Sequence, residues 1–338
     1  LVPWVSGRAG GYLRGHIGAA TNAWRRQMAG YVVRRILWAI PVLFFVATIT
    51  FMLMHLVPGG PWDAERKLPP QVIENLNRRY NLDKPLIQQY AIYMQNLLRG
   101  DLGVSFQGDR SVIDRLKDGF PMTATLGVAS FLFATTLGLL LGTVAALKQN
   151  GPIDYASVLV STLGASMPSF VMASFLIIIF AVNLGWFPII GWREPSQILT
   201  DPKVAIMPVV ALSFRELAIL TRVTRASVLE VIRQDYIRTA RAKGLKERAV
   251  VVRHLLKNSL IPILTLTGPI LVGLLVGSFI IETIFAIPGI GREFVTAVLQ
   301  RDYGMIMGTT LFYCALITCA NLIVDVLYGV VDPRIRYG

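Results

Sequence analysis

Few residues in this chain have the type and spacing that chemistry requires. The three histidines, His16, His55 and His254, are too scattered to form a zinc site. Gly followed by Lys occurs nowhere, so no G-x-x-x-x-G-K-S/T loop is encoded to cradle a nucleotide. Gly164-Ala-Ser-Met does not continue into the G-x-S-x-G turn that would present Ser166 as a nucleophile. Ile287-Pro-Gly-Ile-Gly-Arg292 follows no strand and reads as a turn, with glycine allowing the backbone to reverse close to packed helices. Cys314 and Cys319 lie inside an apolar stretch and, on a helix, point roughly 140° apart. They read as packing residues rather than a redox pair or metal ligands. The sequence carries no positive sign of catalysis, and no metal or cofactor site.

The chemistry it does offer is that of a docking surface. Between Arg222 and Pro262 ten Lys/Arg face three Asp/Glu, a net charge of +7 (10 − 3), and hydrophobic segments flank the stretch. A basic connection between membrane spans stays on the cytoplasmic side. Within it runs Asp235-Tyr236-Ile237-Arg238-Thr239-Ala240-Arg241-Ala242-Lys243-Gly244. This reads as a short helix over 235–243, with Asp235 placed to cap its start and Gly244 its end. Thr239, Ala240 and Ala242 are small enough to let the helix enter a groove on a partner, and Arg238, Arg241 and Lys243 supply charge. A second helical run is expected to Lys257. Such a surface transmits force from a cytoplasmic partner rather than performing a reaction in the bilayer.

The elements that position it are membrane spans. The chain has 338 residues, 54% of them hydrophobic and 16% charged, the balance of a polytopic membrane protein. The net charge of +13 does not point to nucleic acid, because of how it is distributed. Residues 1–35 carry six arginines and no acid, while 58–119 carries nine basic and eight acidic residues. The excess therefore alternates across the hydrophobic segments, as positive-inside topology requires. Six apolar segments are visible: Ile36–Val57, Met122–Leu147, Tyr155–Trp186, Val204–Leu220 running on toward Glu230, Leu260–Ala286 and Met305–Val331. The first is ~33 Å long as a helix, enough to cross. The third is too long for one straight span and is broken by Pro168, so a kinked helix is expected.

The expected fold is thus all-α with six transmembrane helices and both termini cytoplasmic. Its expected parts are an N-terminal extension over 1–30, a first span over 36–57, an external segment over 58–119, and a core over 122–338. That core carries the remaining spans and the basic connection 222–258. In the external segment Pro69-Pro70 opens a helical run to Tyr80 and Pro85 another to Leu98; Gly100, Gly103 and Gly108 mark loops. Residues 1–27 are either an extension ahead of a more natural start at Met28 or a basic amphipathic arm on the membrane surface.

Arg238–Gly244 resembles the cytoplasmic coupling loop of bacterial ABC importer permeases. Further stretches are similar to that family: His55-Leu-Val-Pro-Gly-Gly-Pro61, Tyr80-Asn-Leu-Asp-Lys-Pro85 with Gln89-Tyr90, and Gly100-Asp-Leu-Gly103 with Ser105-Phe106. So are Gly185-Trp-Phe-Pro188, Glu282-Thr-Ile-Phe-Ala-Ile-Pro-Gly-Ile-Gly291, Arg301-Asp-Tyr303, Val324-Asp-Val-Leu-Tyr328 and Asp332-Pro-Arg334. Together they cover about Met28 to Gly338 and resemble the first permease subunit of peptide importers. Glu65-Arg66 with Leu68-Pro-Pro70, and Ala146-Leu-Lys-Gln-Asn150, look closest to the oligopeptide branch. The general importer pattern places Glu-Ala-Ala six residues before the glycine, where this chain has Arg238, Thr239 and Ala240, the version that peptide-type permeases resemble. The resemblance implies a heterodimer with a second permease in a bacterial inner membrane. It also implies two cytoplasmic ATPase subunits that bind the ATP and an external solute-binding protein. In that case Asp235, Tyr236, Arg238, Thr239, Ala240, Arg241, Ala242, Lys243 and Gly244 form the ATPase-coupling helix.

No motif carries substrate contacts. The segments with small or interrupting residues are the candidates for the translocation path: Ser166, Met167 and Ser169 around Pro168, and Gly273 and Gly277 within Gly268–Ser278. Small residues also serve helix packing. Glu282, near the end of the fifth segment, is grouped with the path, but it and Asp325, near the end of the sixth, both lie close to a membrane boundary and read more readily as snorkelling charges or a structural pair near the interface. Arg215-Glu216, interrupting the fourth, is either a structural contact or the lining of a water-filled path, because a charge at membrane depth usually faces a cavity or a partner. A polytopic membrane enzyme and an ion-driven carrier are the alternatives. The first needs paired catalytic residues at membrane depth and the second favours inverted repeats and midplane carboxylates; neither is seen.

Overall fold

A computed structural model describes the backbone of residues 9–62 and 69–331, and side chains over 30–62, 69–260 and 262–326. Among the described residues the regular structure is helical, with one isolated bridge between Val104 and Ser111. Helix α1 runs unbroken over Ala9–Leu56, so the expected boundary near residue 30 is not marked by a break in the helix. Its candidate membrane span is Gly30–Leu56. Helices α2 (Pro70–Arg79) and α3 (Leu86–Leu98) follow, each preceded by a proline as expected. Proline suits the entrance of a helix because its fixed φ is already helical and its missing N–H is not needed there.

Helix α4 (Val112–Leu147) starts ten residues before the apolar run read from the sequence. The third segment is α5 (Pro152–Ser166) and α6 (Ser169–Leu176), the latter continuing as a π-helical stretch over Ile177–Asn183. The two halves meet at 114°, a sharper break than the kink expected from Pro168. Met167 is extended there, as a residue before proline prefers. Asp154 pairs with Arg225 at one end of the long helix α8, and Gly191, just past the pair, sits against Val204 at the other.

The short helix α7 (Gln197–Thr200) leads into α8 (Lys203–Ile232). Arg222 and Arg225 therefore lie in the last turns of a helix rather than in a loop. Helix α9 (Asp235–Ala242) crosses to α10 (Glu247–Ala249), which continues through a π-helical stretch, Val250–Leu256, into α11 (Lys257–Val276). Helix α12 (Phe279–Ile284) and α13 (Ile290–Leu299) pack on each other before α14 (Tyr303–Val331). The sequence left α13 inside a turn and loop. Five described helices are long and apolar enough to cross a membrane, or six crossings with the α5–α6 pair counted as one.

Helix α8 is the hub: it packs against α4, α5, α6 and α11. What lets α4 approach so closely is a row of small residues at every fourth position, Ser130, Ala134, Gly138, Gly142 and Ala146, all buried. A Cβ on Gly138 would stand 2.7 Å from the Leu220 Cβ, and one on Gly142 2.6 Å from the Thr221 carbonyl oxygen. Lipid supplies no hydrophobic force between helices, so backbone approach of this kind is what holds such pairs.

Candidate coupling surface and translocation path

Helix α9 is amphipathic in the order its sequence dictates. Ile237 and Ala240, three residues apart, fall on one face and are buried, at 0% and 6% exposure. They pack with Ala146 of α4, Val228 of α8, and Val250 and Leu255 of the π-helical stretch. The opposite face, Asp235, Tyr236, Arg238, Thr239, Arg241, Ala242 and Lys243, is exposed. Ala240 is therefore a contact within this chain, not a part of the free docking face as the sequence suggested. The cause is its register with Ile237. In so short a helix Ala240 and Ala242 are equally small, and size alone does not say which of them turns inward.

Asp235 also departs from expectation. Gln234 occupies the cap position without a side-chain cap bond, and the Asp235 carboxylate instead lies 3.6 Å from Arg238 Nη1 on the surface. Gly244 behaves as predicted. Its φ is +77°, its N–H donates to the Arg241 carbonyl at 2.9 Å, and a Cβ there would meet nothing within 4 Å. Glycine is needed for the left-handed backbone alone. Two side-chain contacts then fix the turn. Arg241 grips Glu247 through Nη2–Oε1 at 2.7 Å and Nε–Oε2 at 3.2 Å, and Asn258 Nδ2 donates to the Tyr236 hydroxyl at 2.9 Å. The hydrogen bond and charge of Arg241 hold the Glu247 carboxyl below the ordinary carboxylate range. Any stability this pair adds is present above the unfolded-state pKa and is lost as pH falls through the lower folded value.

The path candidates divide. Ser166 is exposed and Met167 and Ser169 half-buried at the break between α5 and α6; Ser166 Oγ donates back to the Thr162 carbonyl at 3.0 Å. Gly273 is exposed, with open space where a side chain would stand, whereas Gly277 closes against the Gly273 carbonyl at the end of α11. Helix α12 packs on α6, which brings the end of the fifth segment beside the second half of the broken span. Glu282 does not line an opening. It is fully buried, accepting hydrogen bonds from Thr123 Oγ1 (2.8 Å), Ser278 Oγ (2.5 Å) and the Arg292 N–H (3.0 Å). Thr123 in turn accepts the Ile290 N–H at 2.9 Å. This knot ties α4, α12 and α13, and the close approach of Gly289 and Gly291 is what leaves room for it.

Two anchors, Asp154 and Asp302, escaped the sequence, and a third, Asp325, is the structural pair expected of an acid close to a membrane boundary. Asp154 is buried and held by Arg225 Nη2 at 2.8 Å and the Asn150 N–H at 3.0 Å, which pins the start of α5 to α8. Asp302 is 1% exposed and accepts the N–H groups of Phe106 (3.0 Å) and Met305 (3.1 Å) and the Ser105 hydroxyl, holding the loop before α4 to the start of α14. Asp325 near the other end of α14 meets Arg35 at 3.0 Å and the Tyr31 hydroxyl at 2.7 Å on α1. Their partners lie far away in the chain; the one available signal was an acid inside or beside an apolar run. The quoted motif Asp332-Pro-Arg334 and residues 63–68 lie outside the described residues.

Comparison with known proteins gives a consistent result. The family described as binding-protein-dependent transport system inner membrane component matches residues 138–337, and its N-terminal companion matches 28–127. The oligopeptide transport system permease protein OppB of Escherichia coli is 45% identical over 311 residues, covering 92% of this chain and all of that protein. The dipeptide transport system permease protein DppB of Bacillus subtilis is 43% identical, covering 91% of this chain and 98% of its own length. A solved structure of the MetNI methionine ABC transporter in inward-facing conformations aligns with TM-score 0.51 at 18% identity, over 65% of this chain and 97% of that one. At that identity the likeness concerns the fold. The exposed basic helix between apolar spans, the multi-span architecture and the family match converge: this chain belongs to the binding-protein-dependent transport system inner membrane components, the membrane permease subunits of ABC importers.

Proposed function

We propose that this permease carries peptides, oligopeptides in the first instance, into a bacterial cell. It does so as half of a heterodimeric path that partner ATPases drive through α9. The peptide class rests on the full-length similarity to OppB and DppB. The observation that carries the mechanism is the two-sided character of α9. One face is fixed by Ile237 and Ala240 to α4, α8 and the entry of α11, and the other is exposed and basic. A load applied to the exposed face therefore reaches three membrane helices at once. ATP binding closes the ATPase pair, displaces α9, and tilts those helices between inward- and outward-facing arrangements. Arg238, Arg241 and Lys243 pair with acidic groups on the ATPase, while Thr239 and Ala242 leave room for the groove. Both termini and α9 are cytoplasmic, residues 58–119 are external, and Ser166, Met167, Ser169, Gly273 and Gly277 border the path. Glu282 contributes to it only by bracing α12 against α4.

The test is reconstitution of this chain with its second permease, ATPase subunits and binding protein in proteoliposomes. A labelled oligopeptide should accumulate only with ATP inside the ATPase-accessible compartment and loaded binding protein on the other side. Accumulation driven by an ion gradient without the ATPases would establish a secondary carrier instead.

A further inference from the structure

Helix α8 changes character halfway along its length. From Val204 to Ser213 its residues are buried apart from Ile206 and half-buried Val210. Beginning at Arg215 an open stripe appears and runs to the Ile232 end: Arg215, Glu216, Ile219, Arg222, Ala226 and Glu230 are exposed or half-buried. At ~100° per residue these positions fall within about one third of the helix circumference, and Leu217, Leu220, Thr221, Thr224 and Val228 on the other side are buried. The stripe is not built for lipid. Arg215 lies about 18 Å from the Lys203 end and about 26 Å from the Ile232 end, which places it near the middle of a hydrocarbon layer ~30 Å thick. Arg215 is exposed and Glu216 half-buried, and neither makes a hydrogen bond or ion pair with any described residue. Ionisable groups at this depth face a water-filled cavity or a partner and mark a substrate route.

We infer that Arg215 and Glu216 form a peptide-terminus site at the closed end of a cytoplasm-facing vestibule, Arg215 taking a carboxylate and Glu216 an ammonium group. The inference rests on the peptide-permease reading and adds the residues that meet the cargo. Charge complementarity selects the occupant: a peptide in transit is a zwitterion, and the site offers one charge of each sign with no hydrogen-bonded partner among the described residues, splayed by ~100° on adjacent residues. A guanidinium is suited to the planar fork of a carboxylate. Closure above the pair comes from buried Ala211, Leu212 and Ser213, and the open stripe below it leads toward α9. The helix that receives the load, α9, packs through Ile237 and Ala240 against Val228 of the same helix α8 that carries the site.

The experiment uses the whole reconstituted complex, with an unblocked tetrapeptide, its C-amidated analogue and its N-acetylated analogue, each presented at saturating binding protein. The readout is peptide delivered per ATP hydrolysed. Arg215→Gln should lower this ratio about tenfold for the unblocked and acetylated peptides, the loss of one charged hydrogen bond, and leave the amidated peptide at its wild-type ratio. Glu216→Gln should spare the acetylated peptide instead, and Arg215→Lys should recover most of the loss. In a variant lacking Cys314 and Cys319, cysteines at Ile219 and Ala226 should react with a charged thiol reagent from the cytoplasmic side, and one at Leu212 should not. Equal losses for all three peptides, or none, would overturn the inference. So would failure of the Gln variants to assemble, which would assign the charges to the second permease. Failure of the unmutated complex to import any of the peptides would remove the peptide reading itself, and shows up before any variant is made.

Discussion

Single residues in this permease hold distant elements together through buried carboxylates, and each carboxylate is satisfied by donors that one sequence stretch does not contain. Glu282 is the clearest case. Read along the chain it is a lone acid near the end of a span. Its hydrogen-bond partner Thr123 is 159 residues away, so no local pattern announces the knot. Removing the acceptor strands two hydroxyls and one N–H in a buried site. Glu282→Ala should therefore cost about 2–3 kcal/mol and lower the thermal midpoint of the purified complex, with Glu282→Gln in between. A midpoint equal to wild type would show that the knot does not hold α12 and α13. Asp302 makes the corresponding prediction for the loop between α3 and α4. Asp302→Asn retains an acceptor but not the charge, and should speed amide exchange at Phe106 and Gln107 well before it affects the spans.

At the scale of elements, what periodicity and proline placement could reveal was legible, and what register decides was not. Helices α2 and α3 start where Pro69-Pro70 and Pro85 place them, and Gly244 ends α9 with the positive φ expected of it. The α5–α6 break was visible at Pro168, but its 114° angle was not; both halves pack against α8, a contact no local pattern announces. Helix α9 shows the limit most directly: eight residues fix a helix without saying which of three small side chains turns inward. That difference yields a prediction. Ala240→Trp should disturb the packing around Ile237, Val228 and Leu255 at a cost of about 1–3 kcal/mol, seen as lower yield of assembled permease. Ala242→Trp, on the exposed face, should leave the permease stable and reduce retention of the ATPase subunits on co-purification. The opposite assignment of the two phenotypes would put Ala240 on the docking face. In the α4–α8 contact, Gly138→Leu should prevent assembly, because the space a Cβ would need is already filled by Leu220.

For the whole molecule, charge asymmetry along the chain sets the expected orientation, and the helical architecture agrees with the number of apolar segments once the broken pair is counted as one crossing. What remained hidden was the sharing of labour between helices, since it needs α4, α8 and the entry of α11 to meet α9 at one cluster. Orientation is checked by single cysteines at Gln71 and Lys246, both exposed, in a variant lacking Cys314 and Cys319. An impermeant thiol reagent should reach Gln71→Cys from outside intact cells and Lys246→Cys only from the cytoplasmic side. Labelling of both from outside would exclude this topology. The central claim, that force enters through α9, is tested most directly by Gly244→Pro in the reconstituted complex, measuring peptide uptake and ATP hydrolysis together. Proline cannot adopt the φ of +77° found there and removes the N–H that bonds to the Arg241 carbonyl. The account predicts an assembled transporter in which peptide moved per ATP hydrolysed falls by about tenfold or more. Uptake and hydrolysis both at wild-type levels would contradict it.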